Sequence, residues 1–306
     1  MWFSNLQLYR LTKPFSLSAE ALAEKLAEHA FKPCDKMALS SYGWTAPMGR
    51  HGSELIHAAN GYIMICARKE EKIIPASVIR DMVAEKAQEI EDAQGRPVRR
   101  KERETIKEEI THDLLPRAFK KSQLTFAYIS PKENLIVVNA SSAAKAEELT
   151  SYLRGSIGSL AAIPPRLRIP APTTMTRWLS GTDVPADFVL EDECELRDKG
   201  DEGGIIRCKR QDLASEEIQV HLQAGKQVTK LAISWQEHIT CIVDESLTIK
   251  RLRFGEEILE QSNNIDADDI AAAFDNDFGI MTLELARFIP RLIEVFGGEN
   301  DAGLEE

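Results

Sequence analysis

A proline-rich segment near the middle of the chain constrains the fold more than any other feature of the sequence. Residues 163–172 contain four prolines, which cannot donate backbone hydrogen bonds, and such runs favour a boundary between folded units. Short stretches of alternating apolar and polar residues lie on both sides of this segment, and alternation is typical of half-buried strands. The sequence therefore predicts separate groups of strands before and after residues 163–172.

The strands are mixed with helices in a way that favours an α+β fold with antiparallel sheets and packed helices. Before the proline-rich segment, the predicted strands are residues 2–11, 62–67, 124–129 and 135–139, and the predicted helices are 19–30, with Ser18 as N-cap, and 141–154. After it, the predicted strands are 188–196, 204–209, 228–235, 239–243 and 247–254, followed by helices at 266–274 and 280–296. Strand clusters with segregated helices exclude a regular βαβ alternation.

One helical segment interrupts the first group of strands. Pro75 opens a helix, Gly95-Arg96-Pro97 breaks it, and a second helix runs to Leu115, before Pro116. The apolar stripe of the second helix is too narrow to be buried on both sides, which predicts a projecting helical hairpin. We therefore predict an N-terminal α+β domain (1–75 plus 116–165), an inserted hairpin (76–115) and a C-terminal α+β domain (166–306).

Charge is unevenly distributed along the chain. The formal net charge is −11, but residues 255–306 carry fourteen acidic residues and two arginines, so that the preceding 254 residues have a balance of +1. Residues 96–121 alone have a balance of +4. Because a polyanion responds to the local field, an acidic protein with segregated charge can still present a basic surface to nucleic acid.

Several classes of function lack their motifs. There is no Walker A loop, HExxH or GxSxG motif, and the histidines and five scattered cysteines lack zinc-site spacing, so we expect no enzymatic activity, cofactor or metal. The chain begins without the basic and apolar regions of a signal peptide and has no apolar run of membrane-spanning length. We expect a cytoplasmic protein with reduced thiols and no membrane contact.

Two alternative functions remain open at this point. Glu70-Glu71-Lys72 follows a predicted strand and resembles the carboxylate and lysine pattern of metal-dependent nucleases, although the expected upstream Asp is missing. The acidic C-terminal segment indicates instead a protein-interaction module, in which the helix mimics DNA or binds a partner. Its carboxylates are Asp266, Asp268, Asp269, Asp275 and Asp277.

Basic residues cluster near strand ends and at the proposed hairpin tip, where they would contact phosphates with little base readout. The candidate DNA-binding residues are Arg68, Lys69, Arg96, Arg99, Arg100, Lys101, Lys120, Lys121, Lys209, Arg210, Gln211, Lys226, Lys230, Lys250 and Arg251.

An ordered set of short motifs resembles the RdgC family along nearly the whole chain. The set includes Met1-Trp2-Phe3, Gly43-Trp44, Ala59-Asn60-Gly61, Leu114 to Phe119, Lys209 to Leu213, Ala224-Gly225-Lys226 and Lys250 to Phe254. The resemblance weakens after Phe254 and at the hairpin tip. It implies a homodimer that closes into a ring and binds double-stranded DNA, and single-stranded DNA more weakly, with little sequence preference. It also implies functional antagonism of the recombinase RecA through restricted access to DNA, and no enzymatic activity.

A closed two-fold ring needs self-complementary contacts between the subunits. Phe119, next to the stop at Pro116, is a candidate for one contact. The broad apolar arc of the last helix, including Phe288, Leu292 and Phe296, is a candidate for another, although the same arc is equally typical of a core helix.

Overall fold

Two antiparallel sheets form the framework of the molecule, and helices pack on them. The structure is a computed structural model that describes residues 1–200, 203–262 and 269–300. Within these ranges the predicted α+β class with antiparallel sheets is confirmed.

The first sheet contains the strands that precede the proline-rich segment. They are β1 (Gln7–Leu11), β2 (Ser40–Thr45), β3 (Ile56–Ala59), β4 (Tyr62–Ile73), β5 (Phe119–Ser130), β6 (Leu135–Val138) and β7 (Ala162–Ile163). Their order is β2-β4-β5-β6-β1-β7, and β3 also pairs with β4. A tight turn joins β3 to β4, and both of its central residues, Asn60 and Gly61, have positive φ (52° and 81°), the conformation that Asn-Gly hairpins favour.

Helices α1 (Ala19–Glu28) and α4 (Ala143–Ile157) cover one face of this sheet. The Ser18 side chain accepts a hydrogen bond from the Ala21 backbone N–H (3.2 Å), which confirms it as the cap of α1. Leu22 and Leu26 of α1 pack with Leu149 and Leu153 of α4 over the inward side chains of the strands. This face is therefore closed to solvent over its central strands.

Strands β4 and β5 form a long antiparallel ribbon that leads into the inserted helices α2 (Ala76–Gln94) and α3 (Arg100–Leu114). The two helices pack together through their own small cluster, in which Ala87, Val98 and Ile106 are buried. Gly95 ends α2 in the left-handed conformation (φ 61°), where glycine has no steric penalty. The Glu91 carboxylate accepts a hydrogen bond from the Val98 backbone N–H (2.8 Å) and fixes the connection.

The second sheet contains the later strands, in the order β12-β11-β10-β8-β9. Their bounds are β8 (Phe188–Arg197), β9 (Ile205–Lys209), β10 (Gln227–Trp235), β11 (Ile239–Asp244) and β12 (Ile249–Phe254). Helices α5 (Ala171–Leu179), α6 (Glu216–Gln223), α7 (Glu256–Ser262) and α8 (Ile270–Val295) contribute to the core against one face of it.

Helix α8 lies between the two sheets and contributes to a hydrophobic core that they share. Its Phe278 contacts Tyr128 of the first sheet, with ring centroids 6.3 Å apart, whereas Phe288 contacts Trp235 of the second sheet at 5.5 Å. Phe296, directly after the helix, packs on Trp178 of α5 at 5.1 Å. The same helix thus fixes the position of one sheet relative to the other.

Backbone hydrogen bonds also link the sheets directly. Leu6 and Ile249 exchange two bonds of 2.7 and 3.0 Å, and Leu252 donates to Ser4 at 2.8 Å. At the other side, residues 166–168 pair with residues 298–300, and the Arg10 guanidinium forms a bidentate ion pair with Glu299. The two sheets are therefore joined at several points besides the core.

Several elements differ from the sequence-based prediction. Helix α5 begins at the end of the proline-rich segment, because Pro170 is the N-cap and Pro172 lies in the first turn, where the backbone N–H has no partner within the helix. Strands β2, β3 and β7 and helices α6 and α7 were not predicted. Helix α8 is continuous from Ile270 to Val295, so the predicted interruption between residues 274 and 280 is wrong; the start of the predicted helix, residues 266–268, lies outside the described residues.

A partly buried ion pair at the end of α8 predicts a pH dependence of stability. Arg291 donates two hydrogen bonds of 2.9 Å to Asp187, and Trp235 donates a third of 3.1 Å, so the pKa of Asp187 falls from 3.8 to about 2. Because the folded pKa is lowered, its stabilisation is present above the ordinary value and is lost as pH falls from 3.8 towards 2. We expect the urea-midpoint difference between wild type and Asp187→Asn to be largest near neutral pH and smaller at about pH 3. A difference that stays constant would contradict this assignment.

Candidate nucleic-acid interface

The second sheet has one apolar face and one charged face, because side chains alternate along each strand. On β8, Cys194 and Leu196 point into the core, whereas Glu193 and Glu195 lie on the opposite face. The cations that form ion pairs on that opposite face, which we call the charged face, are Arg207 and Lys209 of β9, Lys230 of β10, and Lys250 and Arg251 of β12.

Glu195 occupies the centre of the charged face. Its carboxylate accepts hydrogen bonds from Arg207 (2.7 Å), Lys230 (2.8 Å) and the Thr229 hydroxyl (3.2 Å). Burial alone would raise the pKa of Glu195, but the donors outweigh burial and hold the pKa at about 2. The carboxylate is therefore ionised throughout the physiological range and fixes two cations from neighbouring strands.

Glu193 and Asp244 hold the other cations of the charged face. Glu193 contacts Lys209 at 3.6 Å and Arg251 at 2.8 Å. Arg251 lies at a bulge in β12 with φ 51°, and its side chain reaches over the two intervening strands to β8. Asp244 pairs with Lys250 at 2.9 Å. Five cations and three carboxylates thus share one surface with a positive balance.

The ribbon of β4 and β5 divides its basic residues between two faces. Arg68 and Lys120 lie on one face with Glu70, whereas Lys69 pairs on the other face with Glu148 (2.7 Å) and Glu71 (3.1 Å). The register also places Lys121 opposite Glu71. Neighbours in sequence such as Arg68 and Lys69 therefore cannot contact the same phosphate.

At the tip of the inserted helices, the predicted basic residues are exposed and partly ion-paired. Arg96 pairs with Glu102 at 2.6 Å, and Arg100 pairs with Glu104 at 3.3 Å. No ion pair is found for Arg99 or Lys101 within the described part of the chain. Exposed pairs of this kind contribute little to stability, so these side chains are available to other anions.

The remaining predicted residues lie beside the charged face. Lys226 is largely buried and pairs with Asp198 at 2.6 Å. Arg210 directly follows β9 with φ 53°. Gln211 donates to Glu217 of α6 at 2.8 Å. Lys226 and Gln211 are thus already held by acidic neighbours.

One regularity was not visible in the sequence. Among the described residues, the buried side chains that carry a charge are Glu70, Glu195 and Asp244, and each of them holds at least one of the predicted DNA-binding cations. Arg207 was left out of the candidate set, and only the strand register reveals it as a partner of Glu195. Sequence spacing carries no signal for such cross-strand pairs.

The residues predicted to form subunit contacts differ in their exposure to solvent. Phe119 is 85% exposed at the end of β5, opposite the exposed Ile73. The assignment of Phe288, Leu292 and Phe296 to a subunit contact is wrong, because all three are fully buried within the chain. The apolar arc of α8 is broad because this helix contacts both sheets, which leaves these side chains no surface for a partner.

The carboxylates of the alternative functions make internal contacts. Glu70 accepts hydrogen bonds from the Cys34 backbone N–H (2.8 Å) and from Lys120 (3.0 Å), which lower its pKa. Lys72, its predicted partner in a nuclease site, donates to the Lys36 carbonyl oxygen. Within residues 1–200, 203–262 and 269–300, no three His, Cys, Asp or Glu side chains are grouped as metal ligands.

In the acidic C-terminal segment, Asp269 caps α8 and Asp275 contacts His57 at 3.0 Å. Asp277 contacts the Met1 amino group. Asp266 and Asp268 lie outside the described residues. None of the helices in the described ranges combines the length and apolar character needed to cross a membrane.

Comparison with known proteins gives a consistent result. The family model described as "Putative exonuclease, RdgC" matches residues 1–299. Proteins named "Recombination-associated protein RdgC" are 50% identical in Tolumonas auensis, over 98% of this chain and 99% of the relative, and 50% identical in Aeromonas hydrophila, over 99% and 100%. A protein of the same name from Psychromonas ingrahamii is 47% identical over 98% of this chain and 99% of its own length. This chain therefore belongs to the RdgC family of recombination-associated proteins.

Proposed function

We propose that this protein binds double-stranded DNA through its phosphates, without sequence preference and without catalysing a reaction. The observation that carries the proposal is the charged face, where five cations from three strands converge on one surface of the second sheet. A flat array of cations fits a regular row of phosphates but offers few groups that distinguish base edges. Single-stranded DNA, which presents a less regular row, should bind more weakly.

We further propose that two copies form a ring-shaped homodimer around the duplex, with the charged faces directed inward. The inserted helices α2 and α3 would act as a projecting hairpin that brings Arg99 and Lys101 towards the same DNA. A protein that encircles duplex DNA competes for it with RecA. By this competition the protein would act against RecA in the cytoplasm, at the nucleoid. Such a role agrees with the recombination-associated names of the relatives.

Duplex binding measured across a salt series tests the proposal. For roughly 6–10 phosphate contacts, we expect the affinity to fall by about 10³- to 10⁵-fold between about 50 and 200 mM salt. Labelled duplexes of unrelated sequence should give the same fluorescence-anisotropy curves. Binding that does not depend on salt, or that strongly prefers one sequence, would reject a phosphate-directed mode.

Phe119 provides a test of the proposed dimer. Because its side chain is 85% exposed, Phe119→Ser should leave the thermal unfolding temperature almost unchanged but shift the molar mass from dimer to monomer in light scattering. Leu124→Ser, at a less exposed apolar position on the same strand, serves as the matched control and should remain dimeric. An unchanged dimer in the Phe119 variant would place the contact elsewhere.

A second candidate function is divalent-metal nuclease activity, which the description of the matching family model favours. It would depend on Glu70, and it predicts cleavage of duplex DNA in Mg²⁺ or Mn²⁺ that is lost in Glu70→Ala. The ion pairs of Glu70 with Lys120 and Arg68 support a structural role for this carboxylate instead. Intact DNA after long incubation with either metal would reject the nuclease.

A further inference from the structure

The carboxylates on the charged face differ in how accessible they are. The Glu195 side chain is only 6% exposed between its two cations, whereas the Glu193 side chain is 24% exposed. Burying a charge is costly unless it is paired, so Glu195 and its partners form a structural unit. Glu193 lies at the surface, where a ligand can compete for its partners.

Glu193 occupies the position between two cations from distant strands. Lys209 comes from the edge strand β9, and Arg251 comes from β12, on the far side of β10 and β11. Between the two strands, the register pairs Ala232 of β10 with Ile242 of β11, and both of these residues are buried. The ion pair with Glu193 thus keeps the Arg251 side chain extended across the sheet.

A carboxylate and a phosphate use the same kind of contact. Both accept charge-assisted hydrogen bonds from arginine and lysine, often with two oxygens at once. A DNA phosphate that binds Lys209 and Arg251 must therefore share or displace the Glu193 carboxylate.

We propose that Glu193 is an internal competitor for DNA phosphate, which occupies Lys209 and Arg251 in the free protein and limits the affinity of the charged face. This inference rests on the proposed function, because it requires that the charged face binds duplex DNA. Its consequence is that some binding energy is spent on releasing the two cations. The complex is then weaker and dissociates faster than the number of cations alone would give.

The test compares Glu193→Gln with Glu191→Gln. Both variants lose one negative charge on β8, but Glu191 lines a cavity with Trp178 and Leu190 and makes no ion pair within the described residues. We expect Glu193→Gln to bind a labelled duplex about 3- to 10-fold more tightly than wild type at about 50 mM salt, with a salt slope steeper by about one. Glu191→Gln should stay within about 2-fold of wild type, because Glu191 holds neither Lys209 nor Arg251 and its neutralisation releases no cation of the charged face.

Arg251→Gln completes a double-mutant cycle. If Glu193 acts by holding Arg251, the gain from Glu193→Gln should be smaller in the Arg251→Gln background. Equal gains for Glu193→Gln and Glu191→Gln, or weaker binding by Glu193→Gln, would overturn the inference while leaving duplex binding intact. If wild type and all variants fail to bind duplex DNA at low salt, the proposed function itself fails and the inference falls with it.

Discussion

Replacing Arg207 and Lys209 with glutamate is expected to lower the affinity for duplex DNA on the order of 100-fold at low salt. Both side chains are more than half exposed on the edge strand β9, and each reversal removes one phosphate contact and adds a repulsive charge. The slope of log affinity against log salt should fall by about two. Fluorescence anisotropy with a labelled duplex across a salt series measures both quantities.

The matched control replaces Lys13 and Lys25 with glutamate. Lys13 precedes α1 and Lys25 lies in it, on the far side of the first sheet. These two reversals change the net charge by the same amount but should weaken binding only slightly, because exposed charges beyond about 10 Å are screened at about 0.1 M salt. Equal losses in the two double variants would mean that net charge, not the charged face, drives binding.

Glu195 needs Arg207 as a partner, so folding of the double variant must be checked. Arg207→Gln/Lys209→Gln is the milder alternative, because it removes the contacts without adding negative charge beside Glu193 and Glu195. It should retain the unfolding temperature of the wild type to within a few degrees and still lose about 10-fold or more in affinity. Unchanged affinity in this folded variant would remove Arg207 and Lys209 from the interface.

Truncating Phe288 to alanine is expected to cost about 3–5 kcal/mol of unfolding free energy, because it leaves a cavity at the contact of α8 with the second sheet. For a chain of 306 residues, with an unfolding entropy of about 2.1 cal/mol/K per residue, a loss of this order lowers the unfolding temperature by roughly 5–8 °C. Thermal unfolding followed by circular dichroism measures it. The same variant should leave the molar mass of the assembly in light scattering unchanged, because Phe288 has no exposed surface that could contact a second subunit.

Leu283→Ala is the matched control on the same helix. Leu283 is 53% exposed, so its truncation should cost less than about 1 kcal/mol. A similar cost for both variants would mean that α8 does not discriminate between a buried and an exposed side. A small cost for Phe288→Ala would return this residue to the list of surface candidates.

The strands of the second sheet were predictable from alternation, whereas three strands of the first sheet, β2, β3 and β7, were not. Residues 188–196 and 228–235 were predicted as strands and are found within one residue of those bounds. Strand β2 begins with Ser40 and Ser41 and includes Gly43, and it shows no clear alternation. Gly43 is required there because a side-chain carbon would lie 2.4 Å from the Cα of Phe31. That constraint is tertiary, and no local pattern reveals it.

The prediction for helix α8 was wrong for a different reason. The predicted helices, 266–274 and 280–296, left out residues 275–279, yet Phe278 and Gly279 are buried and the helix continues. Packing against both sheets outweighs the intrinsic preference of a few residues, which is worth about 1 kcal/mol for a glycine. The same packing explains why an arc that suited a subunit contact is a core surface.

For the candidate site, the sequence identified most of the cations but not their arrangement. Lys209, Lys230 and Arg251 were all predicted, but their convergence depends on strand order, because β8 lies between β9 and β10. The roles of Glu193 and Glu195 follow from the register alone. Alternation similarly separates Arg68 from Lys69, although a charge count treats them as one cluster.

The hydrogen bonds between Leu6 and Ile249, and the packing of Phe3 near Met281, have a consequence for how the chain folds during synthesis. Ile249 is translated more than 240 residues after Leu6. At about 5–20 residues per second, the residues around Leu6 are therefore synthesised roughly 10–50 s before their partners. Contacts of such long sequence separation slow folding. The apolar side chains of the first sheet that pack against α8 stay exposed until then, and such surface is prone to aggregation in a partly folded chain.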